Sequence, residues 1–336
     1  MTKRVTYCCP FVPAEWIAAH GLRPCRIAPR AQSAAAPPDG AQLGRQGVCA
    51  YARNFTQAIA EYSPDEASPL DELIVFTTTC DQMRRSWERV PSTLAESSLL
   101  LHIPATWKTP TSHYYYGEEL KRLGRFLVRH GGESPKSGQL GVVMQQYDAK
   151  RRLLSATREA LSSRGFAEAL DHFQRTGDLQ LAPREGAAQD GVRLALVGSP
   201  LHAEHFALMD FLEENGARVA LDATGSGERA LPAEFDPQRL AADPFAELVN
   251  AYFGRLPSAF RRPNEQLYDW LGQKLAERRV QGIIFLHYAW CDTWQAEAQR
   301  MKEWTETPLL VIGGIDDELM TSHASGRIQA FLEMLK

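Results

Sequence analysis

The chain has 336 residues, 44% of them hydrophobic and 23% charged, with a formal net charge of −4. That length supports two or three domains with substantial cores, and the charge balance leaves no electrostatic footprint for nucleic acid. No apolar run approaches the ~18 residues of a membrane span, and Pro10, Pro13 and Glu15 interrupt any signal-peptide core, so a cytoplasmic, membrane-free protein is expected.

Val5–Cys8 reads as a strand, followed by a proline-containing turn and a helix over Ala14–His20 that Gly21 stops. Cys25-Arg-Ile begins a second short strand, and residues 31–46, rich in Ala, Pro, Gly and Gln, read as a loop. Cys49, Ala52, Phe55, Ile59 and Tyr62 recur at helical spacing, which puts Cys49 on a first turn. Leu73–Thr79 and Leu99–Ile103 are strands. Residues 113–180 are mostly helical, with a 3.6-residue period in YYYGEELKRLGRFLVRH and LGVVMQQYDAKRRLL. Residues 183–191 read as a linker. A second α/β unit follows: a strand over 192–200, a helix over 202–216, a strand from Ala217 into a Gly-rich loop, and helix over 243–279. It ends with a strand into Cys291, a strand over 308–314 and a terminal helix with the apolar stripe Ile328, Phe331, Leu332 and Leu335, which reads as core more than as an interface. The sequence therefore predicts an α/β fold of two Rossmann-like (flavodoxin-like) lobes with mainly parallel sheets, residues 1–112 and 186–336, joined by a helical segment over 113–185.

The chemistry-bearing signal is a repeat. LIVFTTTCD and IIFLHYAWCD each open on an apolar run, Leu73 to Phe76 and Ile283 to Leu286, that suits a buried parallel strand. Each runs into Cys-Asp at the start of a helix, Cys80-Asp81 and Cys291-Asp292. That is the sheet edge where ligands bind, and a helix N-terminus favours the thiolate. The chain has six cysteines, Cys8, Cys9, Cys25, Cys49, Cys80 and Cys291, with no CxxC pair. A cytosolic setting argues against disulfides. A buried, inert thiol is the bland reading for any one of them and the favoured one for Cys25 taken alone. Cys8 and Cys9, before Pro10, can supply one or two ligands at the same crevice. Three thiolates from separate elements can hold three irons of a [4Fe–4S] cluster and leave one open. The turn at Gly198-Ser199-Pro200 reads as a tight strand-to-helix connection rather than a phosphate loop. The loop DATGSGERA stays open between an anion-binding or subunit-contact loop, with Glu228 and Arg229 supplying charge, and a plain surface turn. His102, His205 and His287 read as satisfied or solvated, and Trp290 is placed to wall off a site at Cys291.

YCCPFVPAEWIAAHGLRPCRI, CAYARNF, IVFTTTCDQMRR, YDAKRRLL, VRLALVGSP, LDATGSGERA, FLHYAWCDTW and RIQAFLEML together resemble the 2-hydroxyacyl-CoA dehydratase D-component family, which includes benzoyl-CoA reductase subunits and double-cubane cluster proteins. The resemblance implies that Cys49, Cys80 and Cys291 ligate a [4Fe–4S] cluster, with Cys9 and Glu15 in the active-site segment. It implies low-potential one-electron chemistry on an acyl-CoA thioester through a ketyl radical. It also implies an ATP-dependent activator protein and a homodimer or a heterodimer with a related subunit. With Cys8, Cys9 and Cys25 added, six thiolates match the number a double-cubane [8Fe–9S] reductase of small molecules needs. A non-catalytic iron–sulfur electron carrier or partner subunit is the reading of a different class.

Overall fold

The computed structural model describes residues 2–31, 47–61, 72–181 and 191–336. Tyr62, nearly all of the loop at 31–46 and all but the last residue of the linker at 183–191 lie outside the described residues. Four strands, β1 (Arg4–Tyr7), β2 (Arg23–Arg26), β3 (Glu72–Thr77) and β4 (Ser98–Leu101), form one sheet in the order β2-β1-β3-β4. Four more, β5 (Val192–Gly198), β6 (Ala217–Ala223), β7 (Gly282–Tyr288) and β8 (Leu309–Ile315), form a second in the order β6-β5-β7-β8. Every neighbouring pair is parallel. The second sheet thus repeats the first, strand for strand. The apolar runs predicted as buried strands are so: Leu73 to Phe76 and Ile283 to Leu286 have almost no exposure. A parallel sheet covered on both faces needs runs of this kind rather than alternation.

Helices supply the covering. α1 (Ala14–Ala19), α2 (Ala50–Glu61) and α3 (Asp81–Glu88) belong to the first lobe. The expected helical segment is α4 (Pro110–Arg129), α5 (Gln139–Ala156) and α6 (Ser163–Thr176). Thr109 and Ser162 cap α4 and α6 with side-chain oxygens, and Pro110 occupies the first turn of α4. α7 (Ala207–Glu214), α8 (Pro237–Ala242), α9 (Pro244–Val249), α10 (Glu265–Glu277), α11 (Asp292–Trp304) and α12 (Ser322–Leu335) complete the chain. A π-helical turn at Asn250–Gly254 continues α9.

Packing cuts across the sequence division at one place. Phe235, Leu240, Leu248, Tyr252 and Phe253, from the segment counted with the second lobe, are buried in the same core as Val5, Tyr7 and Leu73 of the first sheet. A buried charge network fixes that crossing. Arg151 on α5 holds Glu15 of α1 and, at 2.7 Å, Asp148. The Tyr252 hydroxyl donates to Glu15 at 2.6 Å, and the Phe235 amide donates to Asp148 at 2.9 Å. The terminal stripe is core: Ile328, Phe331 and Leu332 are buried and Leu335 packs beside them.

The lobes are clamped by two arginines. Arg53 of α2 pairs with Asp316 and Asp317 beyond β8, where Asn54 also donates to Asp317 at 2.8 Å. Arg26 of β2 reaches the carbonyl of Gly225. Gly225 is required there, because a Cβ would lie 2.9 Å from Pro200.

Truncating Glu15 leaves Arg151 half-compensated and the Tyr252 hydroxyl without its acceptor. Breaking one side of a buried pair costs about 3–5 kcal/mol. Glu15→Ala is expected to lose stability on that scale in urea unfolding, and a loss under about 1 kcal/mol would show that the network does not hold the crossing.

Candidate functional site

In a sheet ordered 2-1-3-4, the chains leaving the first and third strands depart to opposite sides, and the gap between them is the switch point where ligands bind. In the first lobe those exits are Cys8-Cys9 after β1 and Thr78-Thr79-Cys80 after β3. In the second they are Ser199-Pro200 after β5 and Ala289-Trp290-Cys291 after β7. Cys80 and Cys291 each occupy the N-cap position of the following helix, α3 and α11. Cys49 stands immediately before α2.

The two switch points share one cavity of about 140 Å³. Cys8, Cys9, Cys49, Cys80 and Cys291 all line it. Around the thiols stand Tyr51, Thr77, Thr79, Tyr288 and Trp294, with the guanidinium groups of Arg26 and Arg229. The repeat extends to contacts. Cys9 Sγ lies 3.4 Å from Thr79 Oγ1, linking the exits of β1 and β3. Ser199 Oγ donates to Cys291 Sγ at 3.5 Å, linking the exits of β5 and β7. The tight turn expected at Gly198 is forced by the sheet: its φ is +138°, and a Cβ there would collide with the Leu286 carbonyl.

Burial reverses the expected ionisation of the thiols. The cavity pushes Cys49 up to about 12, through burial first and the nearby Cys291 second. Burial pushes Cys80 up to about 11, although the Met83 and Gln82 amides at the start of α3 pull the other way. Cys291 is also raised by burial, against the Ser199 hydroxyl and the Trp294 amide. Cys8 is held well above its ordinary value by burial and then by Cys9. The helix N-terminus is present, but its stabilisation of the anion is smaller than the desolvation cost. Without a cation Cys8, Cys49, Cys80 and Cys291 are neutral.

The remaining candidates lie elsewhere. Cys25 is absent from the cavity lining; it sits within β2, against α6, and burial raises it while Arg4 and Arg175 act on it. Glu15 is fully buried, and its carboxylate is taken up by Arg151 and Tyr252, so it too does not face the cavity. Trp290 does not wall off the site: it is 53% exposed with φ of +63°, and Trp294, one helical turn further, packs in its place. His287 and His102 do not line the cavity; His205 lies behind it, 3.4 Å from the Tyr288 hydroxyl. Sequence reasoning missed Arg26, Tyr51, Thr79 and Tyr288. Arg229 alone carried a signal, as a charge in the Gly-rich loop; Glu228 turns away from it to Arg278.

Among the described residues, no three His, Cys, Asp or Glu side chains converge on a point that could hold a single metal ion. The thiols instead ring a volume. That donor set, sulfur from separate elements around a space larger than one ion, suits a polynuclear iron–sulfur group. In metal-free protein at pH 7.5, Cys49 and Cys80 are expected to alkylate with iodoacetamide far more slowly than an exposed cysteine, with the rate rising only toward pH 11. Mass-spectrometric peptide mapping reads this, and fast labelling at neutral pH would contradict the neutral thiols.

Comparison with curated proteins finds no match. A family model, 2-hydroxyglutaryl-CoA dehydratase, D-component, matches residues 9–335. With nearly its full length covered, this two-lobed chain belongs to the 2-hydroxyglutaryl-CoA dehydratase D-component family.

Proposed function

We propose that this dehydratase-type component carries a [4Fe–4S] cluster on Cys49, Cys80 and Cys291 and handles an acyl-CoA thioester beside it. The observation that carries the reading is the convergence of those three thiols, each from a separate helix start, on one cavity at two facing switch points. Bound there, such a cluster supplies low-potential one-electron chemistry at an iron open to substrate, as the formation of a ketyl radical from the thioester requires.

The chain's own groups define what enters and what stays out. The cavity's 140 Å³ is small beside the ~300–1,000 Å³ of sites that enclose whole drug-sized ligands. The acyl end of the substrate fits and the nucleotide stays outside. Tyr51, Tyr288 and Trp294 give the walls an aromatic lining. The neutral thiols give up their protons on loading, so assembly is proton-coupled. Cys9, against Thr79 at the first switch point, is in this reading the thiol nearest the substrate. A related subunit and an ATP-dependent activator complete the system in this reading.

The double-cubane [8Fe–9S] alternative draws support from Cys8 and Cys9, which both line the cavity. It needs about six thiolates on the three-per-cubane count, and Cys25 does not line the cavity, which favours the single cluster. A cavity beside the thiols, with room next to them for a ligand, favours catalysis over electron carriage alone.

Protein purified without oxygen is expected to be brown, with about four irons and matching acid-labile sulfide per chain. Cys49→Ala, Cys80→Ala and Cys291→Ala should each lose most of the iron, while Cys25→Ser keeps it. Full retention in the three alanine variants would remove the assignment. About twice the iron, halved by Cys8→Ser, would replace it with the double cubane.

A further inference from the structure

We infer that Arg26 and Arg229 are the fixed counter-charge of the cavity and set the reduction potential of the group its thiols hold. The inference rests on the cofactor reading above. Both arginines line the cavity and both are more than nine-tenths buried, at 7% and 4% exposure. Their partners are neutral. Arg26 donates to the carbonyls of Cys8 at 3.0 Å and Gly225 at 2.5 Å. Arg229 donates to the carbonyls of Ala223 at 2.8 Å, Pro257 at 3.2 Å and Gly198 at 3.2 Å, and lies over the Trp294 ring. Among the described residues neither forms an ion pair, and no Asp, Glu or Lys lines the cavity. The carboxylates of Asp171, toward Arg26, and Asp222, toward Arg229, act only at range. Burial and then the neighbouring Arg26 lower Arg229 to about 9, so it stays cationic at neutral pH.

Two buried cations facing one cavity repel each other and forgo hydration. Such an arrangement is stable when the opposite charge occupies the space between. Thiolates holding an iron–sulfur group supply that charge. Reduction adds one more negative charge to the same space. Fixed cations in a low-dielectric wall therefore stabilise the reduced form more than the oxidised one. Fewer cations mean a more negative potential. The same wall admits neutral or anionic ligands and rejects cationic ones.

The test is a potentiometric titration of the loaded protein, followed by electron paramagnetic resonance, on wild type, Arg26→Gln and Arg26→Lys. Arg26→Gln is expected to keep its iron and move to a more negative midpoint. The expected size is a tenfold change in the reduced-to-oxidised ratio, or about 59 mV for one electron. Arg26→Lys, which keeps the charge, should stay close to wild type. An unchanged midpoint in Arg26→Gln, or a Lys variant shifted as far as the Gln variant, overturns the inference. Should Arg26→Gln not retain iron, Ser258→Asp adds a carboxylate to the wall with both arginines in place. It must shift the midpoint in the same direction, and no shift overturns the inference equally. Iron-free wild type is a different result: it defeats the cofactor reading before any potential is measured.

Discussion

Everything at the site follows from one topological constraint: a parallel sheet whose strand order reverses must leave a gap at the C-terminal ends of two adjacent strands. This chain builds that gap twice, between β1 and β3 and between β5 and β7, and turns the two gaps toward a shared space. Residues that follow those four strands are brought to its rim. That is why cysteines more than 200 positions apart, Cys80 and Cys291, come together without any local motif. The short clamps Arg53 to Asp316 and Asp317, and Arg26 to Gly225, keep the gaps facing each other.

Closure has an electrostatic consequence. In a space lined mostly by buried side chains the charged form of any group is penalised unless an opposite charge is near. The thiols respond by holding their protons, the more strongly as they approach each other. The guanidinium groups of the two arginines are wired instead to backbone carbonyls. The resting cavity therefore combines neutral acids with fixed positive charge. A cation-bearing cluster that strips the thiols of their protons yields a net anion, and the wall already carries the complement.

Much of the fold was legible because parallel strands leave long apolar runs and their helices leave caps. Leu73 to Phe76, Ile283 to Leu286 and Gly21 each announced an element locally. The cysteine placement was legible for the same reason, since a strand end and a helix start are both local signals. What was not legible depends on contacts far apart in sequence. Strand order, the return of Phe235 to Phe253 into the first core, and the capture of Glu15 by Arg151 leave no periodicity to read. Cys25 and Trp290 show the limit most clearly. Each stands within reach of the right edge by sequence, but the face it presents is set by its neighbours: Cys25 lies against α6, and Trp290 is turned outward by a positive φ that lets Trp294 fill the wall instead.

The repeat is exact in topology and unequal in chemistry. At the exit of the first strand of each sheet stand Cys9-Pro10 and Ser199-Pro200, and the hydroxyl of Ser199 bonds the neighbouring cysteine where Cys9 instead meets the hydroxyl of Thr79. The first lobe supplies Cys8, Cys9, Cys49 and Cys80 with Arg26; the second supplies Cys291, Ser199, Tyr288 and Arg229. Neither lobe alone offers three thiols together with both cations. The site is thus a property of the interface, and the inequality has a direction. Thiols concentrate on one wall, while the opposite wall carries a single sulfur with a hydroxyl bonded to it. A group held between such walls meets different surroundings on its two sides, which is the condition for keeping one side closed by protein sulfur and the other open to a substrate.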